Sequence, residues 1–199
     1  MSAADATGRP SAGSAGRTQT IVVIAVVAVV IGIAAFLIVG PSADDGVTTV
    51  ELGSGAAASG PQVGAVPPVF SGLTYDGKTV NLADYAGKPL WLTFGASWCR
   101  DCRVEVNDVQ AAYQANKDKG LNLLAVFIDE PAADTGGYAQ RAGLTFPIVS
   151  DPKGRIADAY RTMGIPTHFF IGPDGTVREV RIGALSREEM DRAIASILN

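Results

Sequence analysis

The 199 residues carry 16 Lys and Arg against 20 Asp and Glu, with one histidine and two cysteines. A formal net charge of −4 with no basic cluster gives no electrostatic case for nucleic acid. Two cysteines and one histidine cannot close a four-ligand structural zinc site without a carboxylate or a second chain.

Residues 1–20 are rich in Ala, Gly and Ser and are read as a disordered cytoplasmic tail, too poor in large apolar side chains to offset the entropy of ordering. Ile21–Val39 is an apolar run broken only by Gly32. As a helix it would reach about 28 Å at ~1.5 Å per residue, close to the hydrocarbon thickness of a bilayer. It is longer than the apolar core of a cleaved signal peptide, and the nearest cleavage site would put Pro41 at the −3 position. An uncleaved transmembrane signal anchor at 21–39 is therefore preferred over a cleaved signal or a buried core helix. Arg9 and Arg17 precede the run, whereas Asp44, Asp45 and Glu51 follow it with no Lys or Arg before Lys78. The positive-inside rule then puts the N-terminus in the cytoplasm and the rest of the chain outside the cell membrane. A disulfide persists in that compartment.

Residues 40–65 read as a flexible spacer with a reach of about 25–30 Å. Val47–Leu52 has strand character, but the reading keeps it in the spacer. The remainder, 66–199, suits one α/β domain. Val69–Leu73 and Lys78–Leu82 flank Asp76-Gly77 as an N-terminal β-hairpin. Leu90–Phe94 is a central strand, Arg100–Asp118 a helix, and Leu121–Ile128 a strand apolar on both faces. A short helix at Gly137–Ala142, a strand at Phe146–Val149 and a helical turn at Arg155–Tyr160 follow. Thr167–Ile171 and Thr176–Ile182 flank Gly172-Pro173-Asp174-Gly175 as a second hairpin, and Arg187–Leu198 closes the chain as an amphipathic helix. This order predicts a mixed central sheet with helices on both faces.

Both cysteines lie in Trp98-Cys99-Arg100-Asp101-Cys102, where the central strand gives way to the first long helix. That placement sets Cys99 at a helix N-terminus, where free N–H groups and the helix dipole favour a thiolate, and sets Cys102 one turn on. Half a zinc site and an inert disulfide are the other readings of Cys-x-x-Cys. The second explains little, because so short a loop barely restricts the unfolded chain. Covalent haem attachment would need His directly after Cys102, where Arg103 stands. Redox chemistry is the favoured reading, with no cofactor and no metal.

The motif after a strand, followed by Gly164-Ile165-Pro166-Thr167 before an antiparallel pair, resembles a thioredoxin-like fold. Asp76-Gly77-Lys78, Leu82-Ala83-Asp84-Tyr85, Gly87-Lys88-Pro89, Glu105, Phe146-Pro147 and Asp151 narrow this to a resemblance to the TlpA/ResA group of membrane-anchored thiol-disulfide oxidoreductases. The resemblance covers about residues 66–199. It implies an exposed nucleophile at Cys99, a buried resolving thiol at Cys102 and a cis-proline at Pro166. Trp98 and Ile165 would meet the substrate. Glu105 would take or give the proton of Cys102, the alternative being a solvated helix residue. Thr93 stands where thioredoxin carries a buried acid. His168 reads either as a core residue or as a modulator of the cysteines. Asp101 replaces the proline common before the second cysteine.

The resemblance further implies protein disulfides or thiols as substrates, apocytochrome c among them, and a membrane thiol carrier as electron donor. The leading expectation is a disulfide reductase, followed by a disulfide-forming oxidase of secreted proteins. Arg100 and Asp101 have opposite effects on the Cys99 thiolate and leave the direction open. A peroxiredoxin would carry Thr or Ser where Ala96 stands, and a non-catalytic tethered binding module would show no turnover.

Overall fold

The computed structural model describes residues 23–33, 47–51 and 60–198. The chain forms two units, 1–43 and 44–199. In the first, residues 23–33 form a helix, α1. The other residues expected to make the anchor, and the expected tail, lie outside the described residues. No helix among the described residues is long and apolar enough to cross a membrane.

The second unit contains two sheets. The smaller is an antiparallel sheet in the order β1-β2-β3, from Val47–Glu51, Val69–Leu73 and Thr79–Asn81. The hairpin expected around Asp76-Gly77 is there, with Gly77 at φ 80° in the left-handed region that glycine enters freely. Strand β1 falls in the stretch read as spacer; its composition gives no alternating apolar pattern, and it is ordered by tertiary contact, pairing with β2 and lying against the helix at Arg155–Ala159. The backbone of residues 64–65 exchanges hydrogen bonds with Val177, so the extended segment before β2 also joins the domain.

The larger sheet has the order β6-β5-β4-β7-β8: β4 is Leu90–Gly95, β5 Asn122–Ile128, β6 Ile148–Asp151, β7 Thr167–Ile171 and β8 Val177–Ile182. The β4–β5 and β5–β6 pairs are parallel, and β4–β7 and β7–β8 antiparallel. This is the thioredoxin-like arrangement of a mixed sheet with helices. Apart from Asn122 at the start of β5, the central strands are buried along their length because both faces are covered. Alternation along β4 sends Trp91 to one core with Leu123, Phe170, Val109 and Ile194, and Leu92 and Phe94 to the other with Val126, Ile156 and Phe169.

Four helices accompany the large sheet: α2 (Arg100–Asn116), α3 (Ala132–Arg141), α4 (Arg155–Ala159) and α5 (Arg187–Leu198). On α2 the buried stripe is Glu105, Val109, Ala112 and Asn116. Val106 and Tyr113 lie half-buried beside it and pack against the same core. Glu105 thus brings an acid to the buried side of the helix, one turn before Val109. Helix α3 begins several residues before the expected Gly137, with Thr135 and Gly136 buried against the core. Two glycines in its sequence hide it from propensity, and burial of this face overrides them.

Candidate active site

Strand β4 ends at Gly95, and the loop Ala96-Ser97-Trp98 carries the chain into α2. Cys99 is the N-cap of that helix: its sulfur accepts the N–H of Cys102 at 3.1 Å. Its own N–H donates to the Ala96 carbonyl at 3.2 Å, and its carbonyl accepts from the Arg103 N–H at 3.2 Å. Cys99 and Cys102 are joined by a disulfide across a Cα–Cα distance of 5.3 Å. Across from them the Ile165–Pro166 peptide is cis, and the Ile165 carbonyl oxygen lies 3.7 Å from the Cys99 sulfur.

The exposures correct one expectation. Cys99 is 6 % exposed, whereas Cys102 is half-buried. In this disulfide state Cys99 is tucked between the Ala96 turn and the Ile165 carbonyl, while Cys102 faces a small cavity. What separates the two sulfurs is therefore helix geometry rather than access. Only Cys99 holds the N-cap position, where backbone N–H groups point at a developing thiolate.

The cavity under Cys102 measures about 30 Å³, room for one water, and is lined by Cys102, Glu105, Thr93, Phe127, Tyr138 and Pro166. The Glu105 side chain is 5 % exposed, so it is not a solvated helix residue. Its Oε2 accepts the Leu185 N–H at 2.9 Å, and its Oε1 lies 3.4 Å from His168 Nε2, off the angle of a normal hydrogen bond. His168 on β7 is fully buried, opposite Thr93 in the register of β4 and β7. Its Nδ1 faces Trp91 Nε1 at 3.3 Å and Thr93 Oγ1 at 2.9 Å. An indole N–H only donates, so Nδ1 accepts and the ring proton sits on Nε2, toward Glu105. Three residues of three elements thus run from the core to the underside of the disulfide.

Beside the pair, Trp98 is 55 % exposed and Ile165 half-buried. The structure brings Cys99, Cys102, Glu105, Ile165 and Pro166 into one place, with Trp98 at its rim. Burial raises the pKa of Tyr138, at the cavity wall, above its ordinary value. Among the described residues no group of three or more His, Cys, Asp or Glu is placed to hold a metal.

One acid went unread in the sequence. Glu130, just past β5, is 3 % exposed and accepts hydrogen bonds from both the N–H and the Oγ of Ser97, in the loop before Cys99. Only its place after an apolar strand, one residue beyond Asp129, hinted at it.

A redox disulfide at the N-cap of the helix that leaves the middle of a mixed sheet, with a cis-proline across from it, defines a class: the thiol-disulfide oxidoreductases of thioredoxin-like fold. The chain belongs to the AhpC/TSA family, whose model matches residues 63–180, and within it to the ResA-type thiol-disulfide oxidoreductases. It is 35 % identical over 135 residues to the thiol-disulfide oxidoreductase ResA of Geobacillus kaustophilus, covering 68 % of this chain and 78 % of that relative. It is 34 % identical to ResA of Oceanobacillus iheyensis, over 58 % of this chain and 60 % of that one. Among solved structures, a putative thiol:disulfide interchange protein DsbE from Chlorobium tepidum is 28 % identical with a TM-score of 0.63, covering 71 % of this chain and 98 % of that one. The chain is a thiol-disulfide oxidoreductase acting on protein thiols.

Proposed function

We propose that the chain works as a disulfide reductase outside the cytoplasmic membrane, anchored through Ile21–Val39 with its N-terminus in the cytoplasm and its thioredoxin-like domain outside. The observation that carries the direction is the buried Glu105 carboxylate under Cys102. A negative charge there opposes thiolates in the reduced pair, which favours the disulfide form and makes the dithiol a stronger reductant.

In this reading the Cys99 thiolate attacks one sulfur of a substrate disulfide, and the other substrate sulfur leaves as a thiolate and takes a proton. Glu105 then accepts the Cys102 proton, directly or through one water, and the Cys102 thiolate attacks Cys99. The second substrate thiol departs and the Cys99–Cys102 disulfide remains. Trp98 and the Ile165 backbone hold the substrate chain, beside Pro166. A dithiol donor, a membrane thiol carrier, returns two electrons. Apocytochrome c, whose haem-binding cysteines must be reduced, is the proposed substrate. The N-cap geometry supports Cys99 as nucleophile despite its low exposure. The oxidase direction would call for a buried Lys or Arg to favour the thiolate form, and none is buried among the described residues. A peroxidase would need a hydroxyl where the methyl of Ala96 stands.

The test is a reduction potential measured against glutathione and dithiothreitol couples. A value more reducing than the glutathione pool supports the reductase. A value near that of a strong protein oxidant, roughly −120 mV, overturns it in favour of the oxidase. No equilibration with any dithiol would overturn the redox role and leave a binding module.

A further inference from the structure

The mechanism above leaves a second buried acid beside the active-site loop, Glu130, unused. It follows Asp129, whose φ of 54° lies in the left-handed region that few non-glycine residues enter. That turn redirects the chain at the end of β5 and puts the Glu130 carboxylate behind the active-site loop. The Ser97 N–H lies 3.2 Å from Oε1 and 3.1 Å from Oε2, the Ser97 Oγ donates to Oε2, and Thr135 Oγ1 donates to Oε1 at 3.0 Å. The Glu130 carbonyl accepts from Ser150 Oγ at 3.0 Å, tying the turn to β6. Among the described residues no lysine, arginine or histidine is paired with this carboxylate, so dipoles alone balance a buried charge.

We infer that Glu130 is a positioning residue for Cys99: it clamps the Ala96–Trp98 loop through Ser97, and its fixed charge makes the disulfide pair more reducing. The clamp reaches the sulfur by two short links. Ser97 is gripped at both its N–H and its hydroxyl, and the adjacent Ala96 carbonyl accepts the Cys99 N–H at 3.2 Å. A buried anion hydrogen-bonded to Ser97, two residues before Cys99, is screened little by solvent, so it opposes the thiolate and with it the reduced state. The other charged or titratable groups on the elements around Cys99 are Arg100, Asp101, Arg103, Glu105 and Asp108 on α2, Asp129 in the turn after β5, Asp134, Tyr138 and Arg141 on α3, and His168 on β7 against Glu105. Replacing Glu130 alone leaves all of them in place. The inference rests on the redox reading of the Cys99–Cys102 pair.

The experiment equilibrates full-length wild type and Glu130→Gln with dithiothreitol couples at several pH values, counts reduced cysteines by alkylation, and follows the rate of Cys99 alkylation with pH. The reduction is a two-electron exchange: the reagent's dithiol becomes its disulfide as the Cys99–Cys102 bond opens to two thiols. In E130Q the Cys99 thiolate should form at lower pH. Above that pH the equilibrium constant for reduction should rise about tenfold, roughly 30 mV toward oxidising. A folded E130Q that matches wild type in both curves overturns the inference. Should E130Q fail to fold, Ser97→Ala is the second arm. It removes the hydroxyl bond and keeps the charge, so the constant should stay within about twofold of wild type while Cys99 attacks more slowly. An S97A protein with a shifted constant or unchanged attack rate overturns it as well. Failure of the wild type itself to exchange with dithiothreitol would instead sink the redox reading.

Discussion

Glu105→Gln looks conservative and is expected not to be. Both carboxylate oxygens of Glu105 face donors: the Leu185 N–H at 2.9 Å, and His168 Nε2 at 3.4 Å, whose proton is fixed there because the Trp91 indole donates to Nδ1. A glutamine keeps one acceptor and turns an NH₂ to the other donor. Because the His168 contact is off the hydrogen-bonding angle, the amide oxygen should stay with Leu185 and the NH₂ should oppose His168. A buried donor left facing a donor costs about 1–3 kcal/mol. The longer His168 contact puts the expectation at the lower end of that range, a melting loss of roughly 2–4 °C for a domain of this size. The chemistry should suffer more. With its proton acceptor gone, Cys102 should resolve a mixed disulfide on the order of 100-fold more slowly near neutral pH. The rate should recover as pH rises and the thiolate forms unaided. Thermal melts of the oxidised protein and quenched-flow resolution of a preformed mixed disulfide read the two effects separately. A melt and a resolution rate both unchanged from wild type would refute the acceptor role of Glu105 and the donor chain behind it.

Cys102→Ala should accumulate a mixed disulfide through Cys99, visible on non-reducing gels, whereas Cys99→Ala should trap little; equal trapping by the two variants would mean the sulfur roles are misassigned. Tyr160→Phe removes the buried hydrogen bond from its hydroxyl to the Pro68 carbonyl at 2.7 Å. A stability loss of about 1–3 kcal/mol in denaturant titration is expected, with insulin turnover unchanged. Burial raises the pKa of Asp151, more than its bonds to the Ile156 and Ala157 N–H groups lower it. A raised carboxyl pKa costs stability as pH rises through the unfolded value toward the folded one, so Asp151→Asn should gain on wild type between acid and neutral pH; an advantage that shrinks as pH rises would reverse the sign. In cell fractionation the full-length chain should be found with membranes, its C-terminal domain open to protease from outside only. A soluble mature form starting near Asp44 would count against the anchor.

The strands that position the site were legible because buried strands leave continuous apolar runs. Leu90–Phe94 and Leu121–Ile128 match β4 and β5 within a residue or so, and the second hairpin matches β7 and β8. The Cys-x-x-Cys pair was legible as a local motif, and the cis bond at Pro166 through the family resemblance that Gly164-Ile165-Pro166-Thr167 helps to carry. Less could be read where tertiary contact outweighs local pattern. Val106, Val109 and Tyr113 do pack inward from α2, but hydropathy does not announce that Glu105 shares their buried side, where Leu185 and His168 lie against its carboxylate. Nothing near Glu130 in sequence announces Ser97, which lies a whole helix away along the chain. The two meet only because β4 and β5 run parallel and end side by side, placing the loop after one against the turn after the other. His168 was foreseen in the core, but its partner Trp91 follows from the β4–β7 register, which one sequence does not print.

The same difference in depth bears on the direction of electron flow. Read along the chain, Arg100 and Asp101 are adjacent opposite charges that leave the Cys99 thiolate nearly balanced. Both are exposed, so water and salt weaken each of them. The helix N-terminus adds a favourable field at Cys99, common to every N-cap cysteine and limited to the first turn. Beside the pair, Glu105 and Glu130 are the acids among the described residues that water does not cover, one beneath Cys102 and one behind the loop of Cys99. Charges of one sign in low dielectric outweigh a compensated surface pair. They act on different sulfurs by different routes, Glu105 through a cavity wide enough for one water and Glu130 through the backbone of Ser97. Their contributions to the potential should therefore be nearly additive, as expected for sites that share no partner. A double variant, E105Q with E130Q, whose shift falls well short of the sum would mean that both act through one rearrangement of the loop rather than through charge.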